Sequence, residues 1–289
     1  MSRIKNQCRS SRKSIIKKLK SYVWPQKKCA IPPADEASKK SIIFDMDGVI
    51  CTTHSLTAFY EVGIFITLQY ILEQWKIPSQ NEFYKVIMST PAKSAAQSFV
   101  TDTLRMPQII VDWQCGLQST ENLQKAMAQH IQNKKNLTNI EKKFWMQVVS
   151  LKTIPERLIA SRCVIPGGVE LLHDLKYAGY NLYVISNWDS LSFPLLEKQF
   201  PEIFMHHHKK MFNDIIISGK IGIVKPDHII FEKAISKFGI EVSDAVFIDD
   251  VIENVQAAEK IGIESIHCIK ENMKHVRMHL ASILKNKSK

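Results

Sequence analysis

The 289-residue chain has no C-x-x-C pair among its six cysteines. Cys8, Cys29, Cys51, Cys115, Cys163 and Cys268 are scattered, which argues against a zinc frame or a disulfide scaffold. They are read as reduced thiols of a cytoplasmic protein. There is also no apolar run long enough to cross a bilayer. The best stretch, Val62 to Leu72, lies between Glu61 and Glu73, contains Gln69, and falls well short of the ~20 residues a span needs. Phe59, Val62, Phe65, Ile66, Leu68 and Leu72 fit a buried helix instead. A Sec-type leader is not expected, since no apolar core precedes a small-residue cleavage site. Acidic residues are scarce at both ends. Residues 1–40 hold twelve Lys/Arg against two acids, and residues 270–289 hold six against one. The body between them is slightly acidic, so the net charge of +11 belongs to the ends. That distribution argues against a nucleic-acid-binding body.

Residues 1–40 read as a basic tail and linker. Ser14 to Trp24 forms a short basic helix in this reading, with Ile15, Ile16, Leu19 and Val23 on one side. Ala30-Ile31-Pro32-Pro33-Ala34-Asp35 reads as the linker. Three roles compete for the tail: a solvated basic segment, a weak contact of residues 1–28 with an anionic membrane, and a targeting signal. The second would make the protein peripheral to a membrane. Residues 271–289 read as a basic C-terminal segment.

The body carries its chemistry at the ends of apolar runs. Ile42-Ile43-Phe44 ends in Asp45-Met46-Asp47-Gly48-Val49. Two carboxylates two residues apart face one side of an extended chain, and a turn at Gly48 lets Asp47 swing toward the pocket that Asp45 faces. One carboxylate can then attack an electrophile while the other handles a proton. Downstream, Leu182-Tyr183-Val184-Ile185 ends in Ser186-Asn187. Gly222-Ile223-Val224-Lys225-Pro226-Asp227 follows a strand-like stretch from Asp214 to Ser218. Ala245-Val246-Phe247-Ile248 ends in Asp249-Asp250, with Asn254 one helical turn on. In open parallel sheets, ligands bind outside the carboxyl ends of the strands. A hydroxyl, a lysine and an acidic pair would converge there on the Asp45/Asp47 turn, which describes a phosphate site with a hard metal ion.

This ordered set resembles the haloacid dehalogenase (HAD) superfamily over roughly residues 41–56 and 160–270. By that resemblance Asp45 is a nucleophile that becomes an aspartyl-phosphate, and Asp47 is the acid and then the base. Ser186 and the backbone amide of Asn187 hold phosphoryl oxygens, while Lys225 neutralises charge on the phosphate and Asp45. The resemblance also implies Mg²⁺ held by Asp45, the backbone carbonyl of Asp47, and Asp250, with Asp249 acting through water. The branch that dehalogenates carbon lacks an acid at the position of Asp47. A phosphate ester is therefore favoured over a haloacid, because its alkoxide leaving group needs a proton.

Residues 57–160 lack strand-like alternation and show helical periodicity at 57–75, 81–88, 120–132 and 138–150, broken by Pro78, Pro91 and Pro107. They read as an all-helical cap inserted after the first strand, a device that excludes water and sets specificity. The expected fold is thus α/β: a doubly wound, mainly parallel HAD-like sheet built from 41–56 and 161–270, with a cap over 57–160. The expected activity is Mg²⁺-dependent hydrolysis of a small phosphorylated metabolite. On the same core a phosphomutase remains open, as does a phosphonate hydrolase using a cap lysine such as Lys76, Lys85 or Lys93. The rival from another class is a non-catalytic scaffold that binds a membrane or partner through its basic ends. Neither the exact substrate nor the oligomeric state is legible. His206-His207-His208 reads as an exposed loop and Cys51 as packing, while Trp188 is the tryptophan best placed to meet a substrate.

Overall fold

The structure is a computed structural model, and it describes residues 30–34, 41–87, 99–101, 104–105 and 107–286. The proposed tail helix, Ser14 to Trp24, lies outside the described residues. Five parallel strands form the central sheet, in the spatial order Glu264–His267, Ala245–Asp249, Ser41–Phe44, Asn181–Ser186 and Asp214–Ile217. These are β1 (Ser41–Phe44), β6 (Asn181–Ser186), β9 (Asp214–Ile217), β10 (Ala245–Asp249) and β11 (Glu264–His267). Helices cover both faces, so the inner strands read as near-continuous apolar runs whose side chains alternate between two cores, while the edge strand β11 keeps only Ile266 buried. Ile42, Phe44, Leu182, Val184, Val246 and Ile248 pack toward the helices Gly168–Tyr177, Phe193–Gln199 and Met273–Asn286. Ile43, Tyr183, Ile185, Ala245 and Phe247 pack toward the helices His228–Phe238 and Ile252–Lys260.

The chain leaves this core through β2 (Cys51–Thr53) and returns through β5 (Arg162–Val164), and the two strands pair antiparallel. Between them lies the insert, with a core of its own. Tyr70 stacks on Phe144 at 4.2 Å and meets Trp145 edge-on at 5.6 Å. Leu123, Met127, Ile131 and Val149 pack against that aromatic group. The helix Asn139–Thr153 opens with a capping box, in which the Thr138 side chain takes the Glu141 amide and the Glu141 side chain takes the Thr138 amide.

Four details depart from the sequence reading. The expected helix over 57–75 is two helices, Ser55–Val62 and Ile64–Gln74, which meet at 101° around Gly63 at φ 111°. The insert is not wholly helical, because β3 (Phe99–Thr101) pairs antiparallel with β4 (Leu104–Arg105). The basic C-terminal stretch forms the helix Met273–Asn286, whose Val276, Leu280, Ile283 and Leu284 join the main core. Its lysines and arginine mask an apolar stripe at helical spacing. The linker is also docked: the Ala34 amide donates to the Ala178 carbonyl at 2.7 Å, and Ile31 packs on the core. A last hairpin, β7 (Met205–His206) with β8 (Lys209–Lys210), turns through His207 and His208, both at positive φ.

Candidate active site

Asp45 follows β1 directly, and its amide donates to Ile248 on β10 at 2.9 Å, which holds it in line with the sheet. The chain then curls. The Ile50 and Cys51 amides both donate to the Met46 carbonyl, and Gly48 adopts φ 75°. Glycine is required there for a second reason: a Cβ on Gly48 would lie 2.1 Å from Asp250 Oδ2, inside the carboxylate that covers it. Ser186 ends β6 beside the Asp45 carboxylate, whose pKa its hydroxyl pulls down. Asn187 follows and clamps Lys225 by its backbone, donating from Nδ2 to the Lys225 carbonyl at 2.9 Å and accepting the Lys225 amide at 2.8 Å. The Lys225–Pro226 peptide is cis. Asp249 ends β10 and Asp250 follows it.

The four strand ends therefore converge. Lys225 is fully buried, with Nζ 2.5 Å from Asp249 Oδ2 and 3.0 Å from Asp45 Oδ1. Asp249 is spoken for on both oxygens, since its Oδ1 accepts the Val251 amide at 2.8 Å and Asn254 Nδ2 at 3.0 Å. Asp45 Oδ1 has ion-pair contact but no well-aligned hydrogen bond. One oxygen each from Asp45, Asp249 and Asp250 lies within 4.8 Å of the others. Burial, only partly offset by Lys225, pushes the Asp45 carboxyl up to about 6. Burial and the neighbouring Asp45, Asp249 and Asp47 push Asp250 up to about 8. Burial pulls Lys225 down, but Asp249 and Asp45 outweigh it and raise its pKa, so it stays charged. Three crowded carboxylates beside one ammonium form a site that favours a cation.

Asp47 stands apart from that trio. Its half-exposed carboxylate takes the guanidinium of Arg162, the first residue of β5. Arg162 in turn lies over the Trp188 ring, 5.1 Å from its centroid. Lys152, at the end of the helix Asn139–Thr153, lines the same cleft, where burial and Arg162 push its pKa down to about 8. The sequence reading missed both cations. Arg162 is 115 residues from Asp47 and carries no local signature. Lys152 had one: it lies seven residues after Trp145, where the apolar stripe of its helix would continue.

The remaining candidates separate cleanly. Trp188 is buried and donates from Nε1 to Ser192 at 2.6 Å, so its face serves Arg162. Trp113 lines the cleft, Trp145 sits in the insert core, and Trp75 is exposed. Cys51 is buried, and its thiol pKa is pushed up by burial, which makes it inert packing. Lys76 pairs with Glu82 at 2.5 Å and Lys85 is exposed, so neither faces the cleft; Lys93 lies outside the described residues.

Residues 39–262 match the family model described as haloacid dehalogenase-like hydrolase. The chain is similar to a sesquiterpene phosphatase from Aspergillus oryzae, at 30% identity over 34% of this chain and 46% of that protein. It is also similar to a glyceraldehyde 3-phosphate phosphatase from Pyrococcus abyssi, at 26% identity over 35% of this chain and 41% of that one. The chain thus spans less than half the length of these curated relatives. A HAD family enzyme from Bacteroides thetaiotaomicron, solved as a magnesium complex, shares the fold with a TM-score of 0.51 at 17% identity, over 83% of this chain and 98% of that one.

Proposed function

Because the chain belongs to the haloacid dehalogenase-like hydrolases, we propose that it is a magnesium-dependent phosphatase of a small phosphomonoester, working through a phosphorylated Asp45. The observation that carries this reading is the convergence of Asp45, Ser186, Lys225 and Asp250 at the strand ends, with one Asp45 oxygen lacking an aligned hydrogen bond. The donor set suits magnesium: hard carboxylate oxygens, few in number, with room for water and phosphate. Asp45, Asp250 and the backbone carbonyl of Asp47 would hold the ion, and Asp249 would stay on Lys225. The bound ion would supply the charge neutralisation that a carboxylate needs to approach a phosphate dianion. The two curated relatives named above are phosphatases, which supports the same reaction class.

The chain's own residues divide the rest of the work. Ser186 and the Asn187 amide orient phosphoryl oxygens, and Lys225 balances the charge shared by Asp45 and the phosphate. Asp45 attacks phosphorus in line and takes the phosphoryl group. Asp47 gives a proton to the departing ester oxygen and later takes one from the water that cleaves the Asp45 phosphoester. Arg162 holds the Asp47 carboxylate at the cleft.

The test is phosphate release from p-nitrophenyl phosphate with Mg²⁺ and with a chelator. Turnover only with the metal, lost in Asp45→Asn, supports the reading. Turnover that survives Asp45→Asn overturns it.

A further inference from the structure

Beneath the insert lies a cavity of about 130 Å³ lined in equal parts by polar side chains and by apolar ones, among them Phe83, Ile110, Leu123, Met127 and Leu158. Its polar lining is unevenly satisfied. Arg162 is held by Asp47. The Asp189 carboxylate accepts the Leu191 amide at 3.0 Å, the Ser192 amide at 2.8 Å, and the Ser192 hydroxyl. Two groups are left over. Lys152 makes no hydrogen bond or ion pair among the described residues, and the buried Gln114 Oε1 has no hydrogen-bond partner. A buried carboxamide oxygen without a partner is costly unless something else satisfies it, and the part-buried Lys152 ammonium faces the same space.

We propose that this chamber is the substrate's recognition site, and that Lys152 there binds a carboxylate of a compact, largely apolar phosphomonoester. The inference rests on the phosphatase reading above and adds the class of substrate.

Three features define that class. Lys152 and Asp47 line this chamber and also the adjoining polar opening of about 530 Å³ that contains Asp250. The carboxylate therefore sits a few bonds from the ester oxygen that Asp47 protonates. Gln114 takes a hydrogen-bond donor from the same body. The volume limits that body: an engineered cavity of about 150 Å³ in another protein holds one benzene. A ring or a short branched chain fits here. A sesquiterpenyl chain, more than twice as bulky as benzene, has to extend beyond this cavity.

The experiment compares benzyl phosphate with O-phosphomandelate, which differ only by a carboxylate on the carbon next to the ester oxygen. Farnesyl phosphate serves as the bulky control, and kcat and KM are measured with Mg²⁺. A charge-assisted hydrogen bond in a buried site gives roughly 10- to 100-fold, so wild type should favour O-phosphomandelate in kcat/KM by about that factor, mainly through KM. In Lys152→Met the preference should collapse toward one, while Lys152→Arg should keep part of it. Farnesyl phosphate should be the poorest of the three. Equal use of the two benzyl esters by wild type overturns the proposal without needing any variant. So does a preference unchanged in Lys152→Met, or farnesyl phosphate as the best substrate. In each of those outcomes phosphate is still released and the phosphatase reading stands. No release from any of these esters or from p-nitrophenyl phosphate removes that reading, and this inference with it.

Discussion

Replacing Asp45 with asparagine should abolish turnover and, without metal, make the protein more stable. The carboxyl is buried, and its pKa rises from an ordinary 3.8 to about 6. Below 3.8 the group is neutral in both the folded and the unfolded chain. Between 3.8 and about 6 the unfolded chain loses the proton first, so folding stability falls as pH rises. Above about 6 the penalty is complete. Two pKa units correspond to about 3 kcal/mol. Asparagine carries no such penalty, because it has the shape of the carboxylate and no charge. For a folded body of this size, ~3 kcal/mol corresponds to roughly 6–12 °C in Tm. The assay is thermal unfolding in chelator at pH 4 and pH 7.5. Asp45→Asn should melt above wild type at pH 7.5, and the two should nearly coincide at pH 4. Saturating Mg²⁺ should close the gap from the wild-type side, since a ligand at 100 times its Kd adds about 2.7 kcal/mol. A variant that melts below wild type at pH 7.5 would refute the electrostatic argument, as would a gap that ignores pH.

Three further predictions test separate parts of the site. Asp47→Asn should slow alkyl phosphates far more than aryl phosphates, because poor leaving groups need the proton; equal slowing of both would remove the acid role. Lys225→Met should lower stability by about 3–5 kcal/mol, read from denaturant midpoints, because it leaves Asp249 charged and buried without its partner. Gly48→Ala should leave a folded protein whose Tm no longer rises with Mg²⁺, since the new Cβ displaces the Asp250 carboxylate; an undiminished metal response would show that Asp250 is not a ligand.

The central sheet was legible because parallel strands buried on both faces leave continuous apolar runs, and each run here stops at a polar cluster. Asp45, Ser186, Lys225 and Asp249 are read from those stops, and the structure brings them together in the same order. What the sequence hid was pairing over distance. Nothing near Asp47 announces Arg162, and nothing near Asp249 shows that its oxygens are already taken by Lys225, Val251 and Asn254. Charge counting misled at the C-terminus, where Val276, Leu280 and Ile283 carry the fold while the intervening basic residues carry the composition. Periodicity suggested one helix across Gly63, because a bend at a glycine leaves the apolar spacing on each side intact.

The antiparallel pairing of β2 with β5 has a further consequence. The insert begins and ends at one point, a three-residue ribbon, and rests on the core through Val111 and Cys115 against Val224 and through the Ser218 hydroxyl on the Gln114 carbonyl. Reaction and recognition thereby fall to separate parts of the chain. Arg162 lies on the return strand and holds Asp47, so it belongs to the junction itself. Any exchanged insert must be threaded past the side chain that grips the proton-handling acid. Changes of specificity in such a protein should therefore accumulate on the insert side of that ribbon, in positions like Lys152 and Gln114, well before they reach it.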